Sequence, residues 1–584
     1  MESVLVNMKR YSLYFIVFVF SLMSFLLSGC NDDKLDNIAD NRFVTEAMKN
    51  STIRVVNLRG LNQVIANGDS ITNFVLRNPE GQDAYKYPGT KYFPKNGKLG
   101  KLWYIPQNLF NAQGKVKMKM EMYSYATFIS GPIETEFKET DTPLDYYLLQ
   151  GPSWTSGQPD IVKVPRDISP SFKQDHFKIR LLNLSAKSTS NYSGMEDLIG
   201  PMRLTWADGT LVSEKIDNIA PGECSEYIEV PYGTYQFKVL TTDGRQVPGQ
   251  EPLFVNSFYL LNPQTSTIVT SDNSSVWADT HLTYACIKNF VPGGIYTIVV
   301  SSQVFKYPSP GSSEDLEEYQ NGFEIIPDIE ESPNMSYARL QIVNALPKDG
   351  TIGLKLNGKE LINSHIKYGD YSDYSPVVKG FYTLSVTDAT GGTIAETNIK
   401  VDAGSNYSAW IYQTEEGKAV VAVVSNDLSG SSHIDNNGQD DTYNRHNEEL
   451  YLKMRFFNFT ADFKNLTFTT DNGQPFRSLY SYSERSVQQL TPGTISSVSP
   501  YVWMNLNILD TYKIMAYRST PSTIPGTWAD EIPVITGTDF ILRPELYTRG
   551  TPFSDAGVYS VALIGRTTSE GNYKPKMIIV KHTK

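Results

Sequence analysis

Four near-copies of one eight-residue phrase constrain the fold of this 584-residue chain more than any other feature. Each copy contains an apolar residue, Arg or Gln, two apolar residues and Asn, in that order. A catalytic motif is rarely repeated four times in one chain, so the phrase indicates four related domains rather than one reaction. The copies are TIRVVNLR from Thr52, KIRLLNLS from Lys178, RLQIVNAL from Arg339 and KMRFFNFT from Lys453.

The phrase has the pattern of a β-strand in a two-layered core. In the second copy, Ile179, Leu181 and Leu184 are predicted to point inward while Arg180 snorkels outward. The Asn interrupts the apolar run, and its amide can hydrogen-bond to nearby backbone and start a bulge or turn. We interpret this Asn as structural, with ligand binding as the alternative. The four copies are Asn57, Asn183, Asn344 and Asn458.

The spacing of these asparagines predicts domains rather than short solenoid repeats. The intervals are 126, 161 and 114 residues (183−57, 344−183, 458−344), which are domain-sized. A Gly-x-Tyr hairpin recurs in PYGTYQFKV from Pro231 and VKGFYTLSV from Val378. With 12% aromatic and 20% charged residues and no convincing helical period, the chain is predicted to be all-β: tandem immunoglobulin-like antiparallel β-sandwiches after a lipoprotein signal peptide.

The predicted organisation is a beaded rod of four sandwiches. Two polar stretches, one acidic and rich in Pro and Ser, separate the later sandwiches as exposed linkers. The predicted segments are a signal peptide (1–29), a lipidated tether (30–50), sandwich 1 (51–170), sandwich 2 (171–306), an acidic linker (307–336), sandwich 3 (337–425), a polar linker (426–449) and sandwich 4 (450–584).

The N-terminus has the features of an export signal. Lys9 and Arg10 precede an apolar run over residues 11–27, and the run ends in LSGC. This segment resembles a bacterial lipoprotein signal, which implies that Cys30 carries the lipid and becomes the new N-terminus. A membrane-spanning anchor is the alternative. Both Met1 and Met8 are candidate starts.

Charge and the residues after Cys30 predict the location. Removing residues 1–29 leaves 50 basic and 62 acidic residues (52−2 and 63−1), a net charge of −12, which argues against nucleic acid as a partner. The following NDDKLDN resembles the export signal of Bacteroidota-type surface lipoproteins. We expect a lipid-anchored outer-membrane protein that faces the cell exterior, with a periplasm-facing anchor as the alternative.

Two further cysteines, Cys224 and Cys286, lie within the second unit. In an oxidising compartment they could form a disulfide that closes a loop of about 60 residues, worth roughly 4 kcal/mol in the chain-entropy model. Two buried free thiols are an equal alternative.

The third unit carries a family resemblance. Its ARLQIVNALPKDG, YSPVVKGFYTLSV and VDAGSNYSAWIY are similar to an immunoglobulin-like domain-of-unknown-function family of Bacteroidota surface lipoproteins, best over residues 338–425 and more weakly over 178–301. The family has no established activity. The resemblance therefore implies fold and location, and it makes an outer-membrane nutrient importer an expected partner.

Catalytic and metal-binding patterns are weak. The six histidines show no metal-binding spacing, and no cofactor fingerprint occurs, so we expect neither metal nor cofactor. ANGDSITN around Ser70 resembles the nucleophile block of a serine-esterase family, but His582 lacks the Asp expected three residues earlier. A polar turn is the favoured interpretation of Ser70. HIDNNGQDD from His433 is only faintly similar to a calcium loop.

Tryptophans provide the candidate ligand contacts. Trp154, Trp277 and Trp528 have loop-like polar neighbours, and an exposed indole beside Asp or Asn suits the stacking of a sugar ring. Plugging the end of a sandwich is the alternative. The sequence thus predicts a non-enzymatic surface lipoprotein that captures a glycan or peptide as accessory to an importer. A structural adhesin, fimbrial component or spacer is the competing class.

Overall fold

A computed structural model describes most of the chain after the predicted export signal. Among the described residues, strands make up 49%, helical structure is limited to short 3-10 turns and no helix reaches seven residues, which confirms the predicted multi-domain β-sandwich class. In the part of the chain that the structure describes, no helix is long and apolar enough to span a bilayer. The described residues are 48–73, 89–94, 97–124, 127–151, 155–188, 198–247, 249, 259–262, 267–270, 287–308, 315–362, 364–428, 451–476, 482–505, 513–546, 555 and 557–584.

The chain divides into two compact units. Unit 1 runs to Leu148 and includes Ile161–Arg166; unit 2 contains Leu149–Asp160 and Asp167–Lys584. Unit 1 is one sandwich, whose two sheets enclose an apolar core that includes Val55, Met120 and Tyr146. Its strands are β1 (Asn50–Asn57), β2 (Gln63–Ala66), β3 (Asp69–Ser70), β4 (Leu102–Pro106), β5 (Lys115–Ser124), β6 (Thr127–Lys138), β7 (Leu144–Leu148) and β9 (Ile161–Pro165).

Unit 2 contains three sandwiches. The strands of the second sandwich are β8 (Thr155–Ser156), β10 (His176–Leu184), β11 (Lys187–Ser188), β12 (Met202–Thr205), β13 (Ile228–Pro231), β14 (Gly233–Tyr235), β15 (Lys238–Thr241), β16 (Gln246–Val247), β17 (Tyr259–Asn262), β18 (Thr267–Thr270), β19 (Lys288–Phe290), β20 (Ile295–Pro308) and β21 (Asp315–Pro327). Those of the third are β22 (Tyr337–Asn344), β23 (Thr351–Leu356), β24 (Lys359–Glu360), β25 (Ile366–Lys367), β26 (Ser375–Val378), β27 (Gly380–Thr387), β28 (Thr393–Val401), β29 (Asn406–Gln413) and β30 (Ala419–Asn426).

The fourth sandwich completes unit 2 and holds the C-terminus. Its strands are β31 (Tyr451–Asn458), β32 (Leu466–Thr469), β33 (Tyr501–Asn505), β34 (Lys513–Thr520), β35 (Thr523–Trp528), β36 (Ile535–Thr536), β37 (Gly557–Ile564) and β38 (Lys576–Lys581). The 3-10 turns of the two units are Gln107–Leu109, Glu214–Ile216, Asp471–Gly473, Glu484–Ser486, Gly537–Phe540, Pro544–Leu546 and Gly571–Tyr573.

All four sandwiches repeat one four-stranded sheet. The orders are β4-β1-β7-β9, β13-β10-β20-β21, β26-β22-β29-β30 and β33-β31-β37-β38. In each sheet the strand with the repeated phrase lies inside, antiparallel to one neighbour and parallel to the other. The sheets are therefore mixed rather than purely antiparallel. Between the two parallel strands of each sheet, the chain passes through the second sheet of the sandwich, and this long connection allows the later strand to run parallel to the first.

The repeated Asn performs the structural task that the sequence predicted. Asn458 is fully buried; its Nδ2 donates to Phe463 O at 2.6 Å and Leu490 O at 2.9 Å, while its Oδ1 accepts from the Thr460 amide at 3.1 Å. Asn183 similarly donates to Gly200 O and to Ile219 O, both at 2.9 Å. Each amide thus ends the strand in a turn and fastens it to a crossing segment. The other two copies, Asn57 and Asn344, make the same kinds of bond.

The prediction that Arg180 snorkels outward is wrong. Arg180 is 6% exposed, because the outer face of its sheet is covered by other chain segments. Its Nε donates to Thr297 Oγ1 at 2.9 Å, and its guanidinium lies 4.4 Å from the centre of the Tyr227 ring. Thr297 and Tyr227 both donate to the buried Asp328. A strand covered on both faces cannot have the simple inside–outside alternation assumed from its sequence.

The segment 307–336 was predicted to be a linker, and the structure corrects this. Residues Asp315–Pro327 form β21, which pairs antiparallel with β20 over thirteen positions. Phe323 and Ile326 are buried, so the acidic stretch ends in core residues. Most of the second predicted linker, from residue 429 onward, lies outside the described residues.

The third and fourth sandwiches pack directly on each other within unit 2, unlike beads on a rod. Trp410 of the third is fully buried and stacks on Phe459 of the fourth, with ring centres 4.9 Å apart. Beside this apolar contact, the buried His582 has its Nδ1 2.8 Å from Gln341 Oε1 and its Nε2 2.7 Å from Ser560 Oγ. One polar network thus joins the outer faces of both sheets.

This network predicts acid sensitivity. Burial, reinforced by the positive charges of Arg455 and Arg339, lowers the pKa of His582 to about 3. The unfolded state, with a pKa near 6.5, takes up a proton that the folded state excludes, so the stabilisation is complete above about pH 6.5 and falls as the pH drops toward 3. Urea unfolding should show unit 2 losing about 2 kcal/mol between pH 7 and pH 5 through this group.

The variant H582Q should remove that part of the pH dependence, since it keeps polar atoms but cannot be protonated. His365 is exposed and contacts Glu360 at the surface, so H365Q is the control for replacing a histidine outside this network. Equal slopes for H582Q and the unmodified chain would contradict the assignment.

Candidate functional site

Only one of the three predicted stacking tryptophans can be located. Trp154 and Trp277 lie outside the described residues, as do Cys30 and Cys286. Trp528 ends β35, an edge strand that pairs with β34, and is 45% exposed. It therefore stands on a strand rather than in a loop, and its indole has open surface available for contact.

The remaining tryptophans whose side chains are described belong to the interior. Trp206 packs against Tyr235 and Phe237, with ring centres 5.2 and 5.3 Å apart. Trp103 and Trp410 are buried.

Cys224 is exposed and forms no disulfide with a described residue. Because Cys286 lies outside the described residues, the disulfide and the pair of free thiols both remain predictions.

Two serines invite comparison with hydrolases. Ser70 lies exposed in the two-residue strand β3, and its Oγ donates to Thr72 O at 3.2 Å, as in a polar turn. Ser560 does contact a histidine, His582, but both side chains are buried between two sandwiches, where a substrate has no access. In the described part of the chain, no cluster of three His, Cys, Asp or Glu side chains could hold a metal.

A cleft between the third and fourth sandwiches is the best candidate site. Its volume is about 350 Å³, within the range of roughly 300–1,000 Å³ that is usual for small-molecule sites. The third sandwich contributes the turn before β23 and the end of β25, and the fourth contributes a 3-10 turn and the start of β38. The side chains that give the cleft its character are Lys348, Lys367, Lys576, Tyr368, Tyr573 and Asn572.

Two tyrosines form the wall of this cleft. The rings of Tyr368 and Tyr573 are 5.1 Å apart between centres and tilted by 56°. The Tyr573 hydroxyl donates to Asp349 Oδ1 at 2.5 Å, a bond that joins the two sandwiches and raises the pKa of Tyr573. This pairing fixes the relative position of the two sides of the cleft.

The hydroxyl of Tyr368 has an unmet hydrogen bond. It is shielded from solvent, yet it has no partner among the described residues. Burial raises the pKa of Tyr368, so the group remains a protonated donor at neutral pH. A buried hydroxyl without a partner costs about 1–3 kcal/mol.

Sequence reasoning missed this cleft. Its two sides are separated by about 200 positions, and neither Tyr368 nor Tyr573 lies in a recognisable motif. The predicted Trp528 belongs to a different strand, β35, and does not line the cleft.

Comparisons with known proteins identify one domain family in this chain. No curated protein matches the chain. One matching solved structure is described as "Alpha-glucan recognition by family 41 carbohydrate-binding modules from streptococcal virulence factors". The match has 13% sequence identity and covers 41% of this chain and 96% of the chain in that structure. Its TM-score is only 0.12. Residues 338–436 match a domain of unknown function (DUF4397), which supports the predicted resemblance of the third unit to a domain-of-unknown-function family.

Proposed function

We propose that this protein is a non-enzymatic lipoprotein of the outer membrane, anchored through Cys30, that captures an extracellular glycan or peptide at the cell surface. Delivery to an outer-membrane importer is part of the proposal. The immunoglobulin-like character of the sandwiches and a Bacteroidota-type host belong to it too, because they rest on the sequence resemblance.

The observation that carries the proposal is the cleft between the third and fourth sandwiches. It combines two aromatic rings, charged and neutral donors, and a Tyr368 hydroxyl with no partner among the described residues. Binding sites are commonly concave, with a few polar groups that fix the orientation of the ligand. The exposed indole of Trp528 is a second, separate candidate contact.

A glycan and peptide array with the chain from residue 31, which retains both units, tests this function. The variant N572W adds bulk at an exposed lining residue without removing a packed side chain, and should weaken binding at least tenfold. Thr568 is exposed nearby but does not line the cleft, so T568W is the control.

W528A, with F172A as a control at another exposed aromatic residue, tests the second contact.

The competing proposal is a structural adhesin, fimbrial component or spacer. One observation favours it: β35 is an edge strand that displays Ile524 and Trp528 to solvent. Pro525 lies in that strand and lacks an amide donor, which weakens the case for pairing with a strand of a partner. An array without hits would make this class the better proposal.

A further inference from the structure

The cleft between the third and fourth sandwiches concentrates positive charge in an acidic protein. The chain as a whole has a formal net charge of −11, yet Lys348, Lys367 and Lys576 all line this one cavity. Within the described residues, neither Lys367 nor Lys576 has a carboxylate within 4.0 Å, and Lys348 has only Asp388, at 3.8 Å. Such a local reversal of sign attracts anions.

The position of Lys576 is built into the fold. Its ammonium group lies 4.9 Å from the centre of the Tyr368 ring, a cation–π contact. It also packs against Gly369, where a Cβ atom would come within 3.3 Å of Nζ and where the backbone φ of +86° favours glycine. The ammonium group is therefore held at the cleft rather than left free on a surface strand.

Neutral donors stand beside these charges. The Tyr368 hydroxyl lacks a partner among the described residues, and Asn572 offers an amide at the exposed side. The one carboxylate in the lining, Asp349, already accepts a hydrogen bond from Tyr573. The lining thus has more donors and cations than acceptors, so it suits a ligand rich in acceptor oxygens.

We infer that this cleft binds the acidic group of a saccharide, a carboxylate or sulfate ester on a sugar ring, with Lys367 and Lys576 as its contacts. The inference rests on the proposed capture function and specifies its ligand. The volume of about 350 Å³ suits one or two sugar rings. Tyrosine edges and Asn572 provide contacts for the ring and its hydroxyls, which a bare inorganic anion would leave unused.

Calorimetry on the chain from residue 31 tests the inference with matched probes. The probes are an oligogalacturonate, its carboxyl-reduced neutral form, a sulfated chondroitin oligosaccharide, inorganic sulfate and oligoglutamate. At least one of the two acidic oligosaccharides should bind at least tenfold more tightly than the neutral form and inorganic sulfate, and its affinity should fall as salt rises.

Variants connect that binding to the cleft. The double variant K367A/K576A should weaken binding of the acidic oligosaccharide about tenfold or more, since hydrogen bonds to charged groups are the stronger ones. Lys574 is exposed and outside the lining, so K574A is the matched control and should leave binding unchanged.

The outcomes separate the two levels of the proposal. Equal binding of the acidic and neutral oligosaccharides would overturn the anionic specificity and leave ligand capture standing. Tighter binding of oligoglutamate would replace the saccharide with an acidic peptide. If neither acidic oligosaccharide binds while the array gives other hits that N572W weakens, the inference fails alone; if nothing on the array binds, the capture function fails with it.

Discussion

Replacing Asp145 with alanine should lower the free energy of unfolding of unit 1 by about 3–5 kcal/mol, the usual cost of breaking a buried ion pair by removing one partner. Asp145 is fully buried on β7. Its Oδ1 accepts from Arg54 Nε at 3.0 Å and its Oδ2 from Arg54 Nη2 at 2.5 Å, while Arg166 Nε lies 3.5 Å away. The variant would leave two buried guanidinium groups without their carboxylate. Hydrogen exchange of β1 and β7 peptides in the full chain measures this loss.

An exposed ion pair of the same sandwich provides the control. Lys115 and Glu136 lie 2.7 Å apart, but their side chains are 43% and 38% exposed, so E136A should lower stability far less than D145A. The double variant R54L/D145L should recover part of the loss, because it removes Arg54 together with its countercharge and leaves only Arg166 without the carboxylate. A loss for D145A no larger than that for E136A would mean that the buried pair contributes little.

The repeated phrase allowed the strand, the structural Asn and the all-β class to be predicted, because these depend on local sequence. The position of Arg180 could not be predicted in the same way. Its burial depends on Tyr227 and Asp328, which lie far along the chain and cover the outer face of the sheet. The alternation of apolar and polar residues indicates which residues share one face of a strand. It does not indicate whether other chain segments cover that face.

The dependence on distant contacts also explains why the linker prediction was wrong and why the sequence did not predict the cleft. The acidic composition predicts an exposed linker where the first half of β21 lies, yet the pairing of β21 with β20 is set by backbone hydrogen bonds that tolerate polar side chains. Tyr368 and Tyr573 meet only because the third and fourth sandwiches pack through residues such as Trp410 and Phe459. Contacts between domains leave no periodic signal in a single sequence.

Asn458→Asp is expected to destabilise unit 2 by about 3–5 kcal/mol, although the two side chains have nearly the same shape. The substitution replaces the Nδ2 donor with an oxygen that faces the carbonyls of Phe463 and Leu490 at 2.6 and 2.9 Å. Each buried carbonyl that loses its donor costs about 1–3 kcal/mol, and burial of the new carboxylate adds to this. Urea unfolding of the full chain measures the loss, with hydrogen exchange of β31 peptides to locate it.

Asn398 on the exposed edge of β28 provides the matched control, and N398D should remain within about 0.5 kcal/mol of the unmodified chain. Burial should raise the pKa of the carboxyl group that N458D introduces, so the difference in stability between N458D and the unmodified chain at the same pH should shrink as the pH falls toward 5. N57D, N183D and N344D should each destabilise their own sandwich in the same way, because every copy uses its Nδ2 to donate to a carbonyl of a segment distant in the chain. If N458D instead left stability unchanged, the fourfold recurrence of this Asn would need an explanation other than the fold.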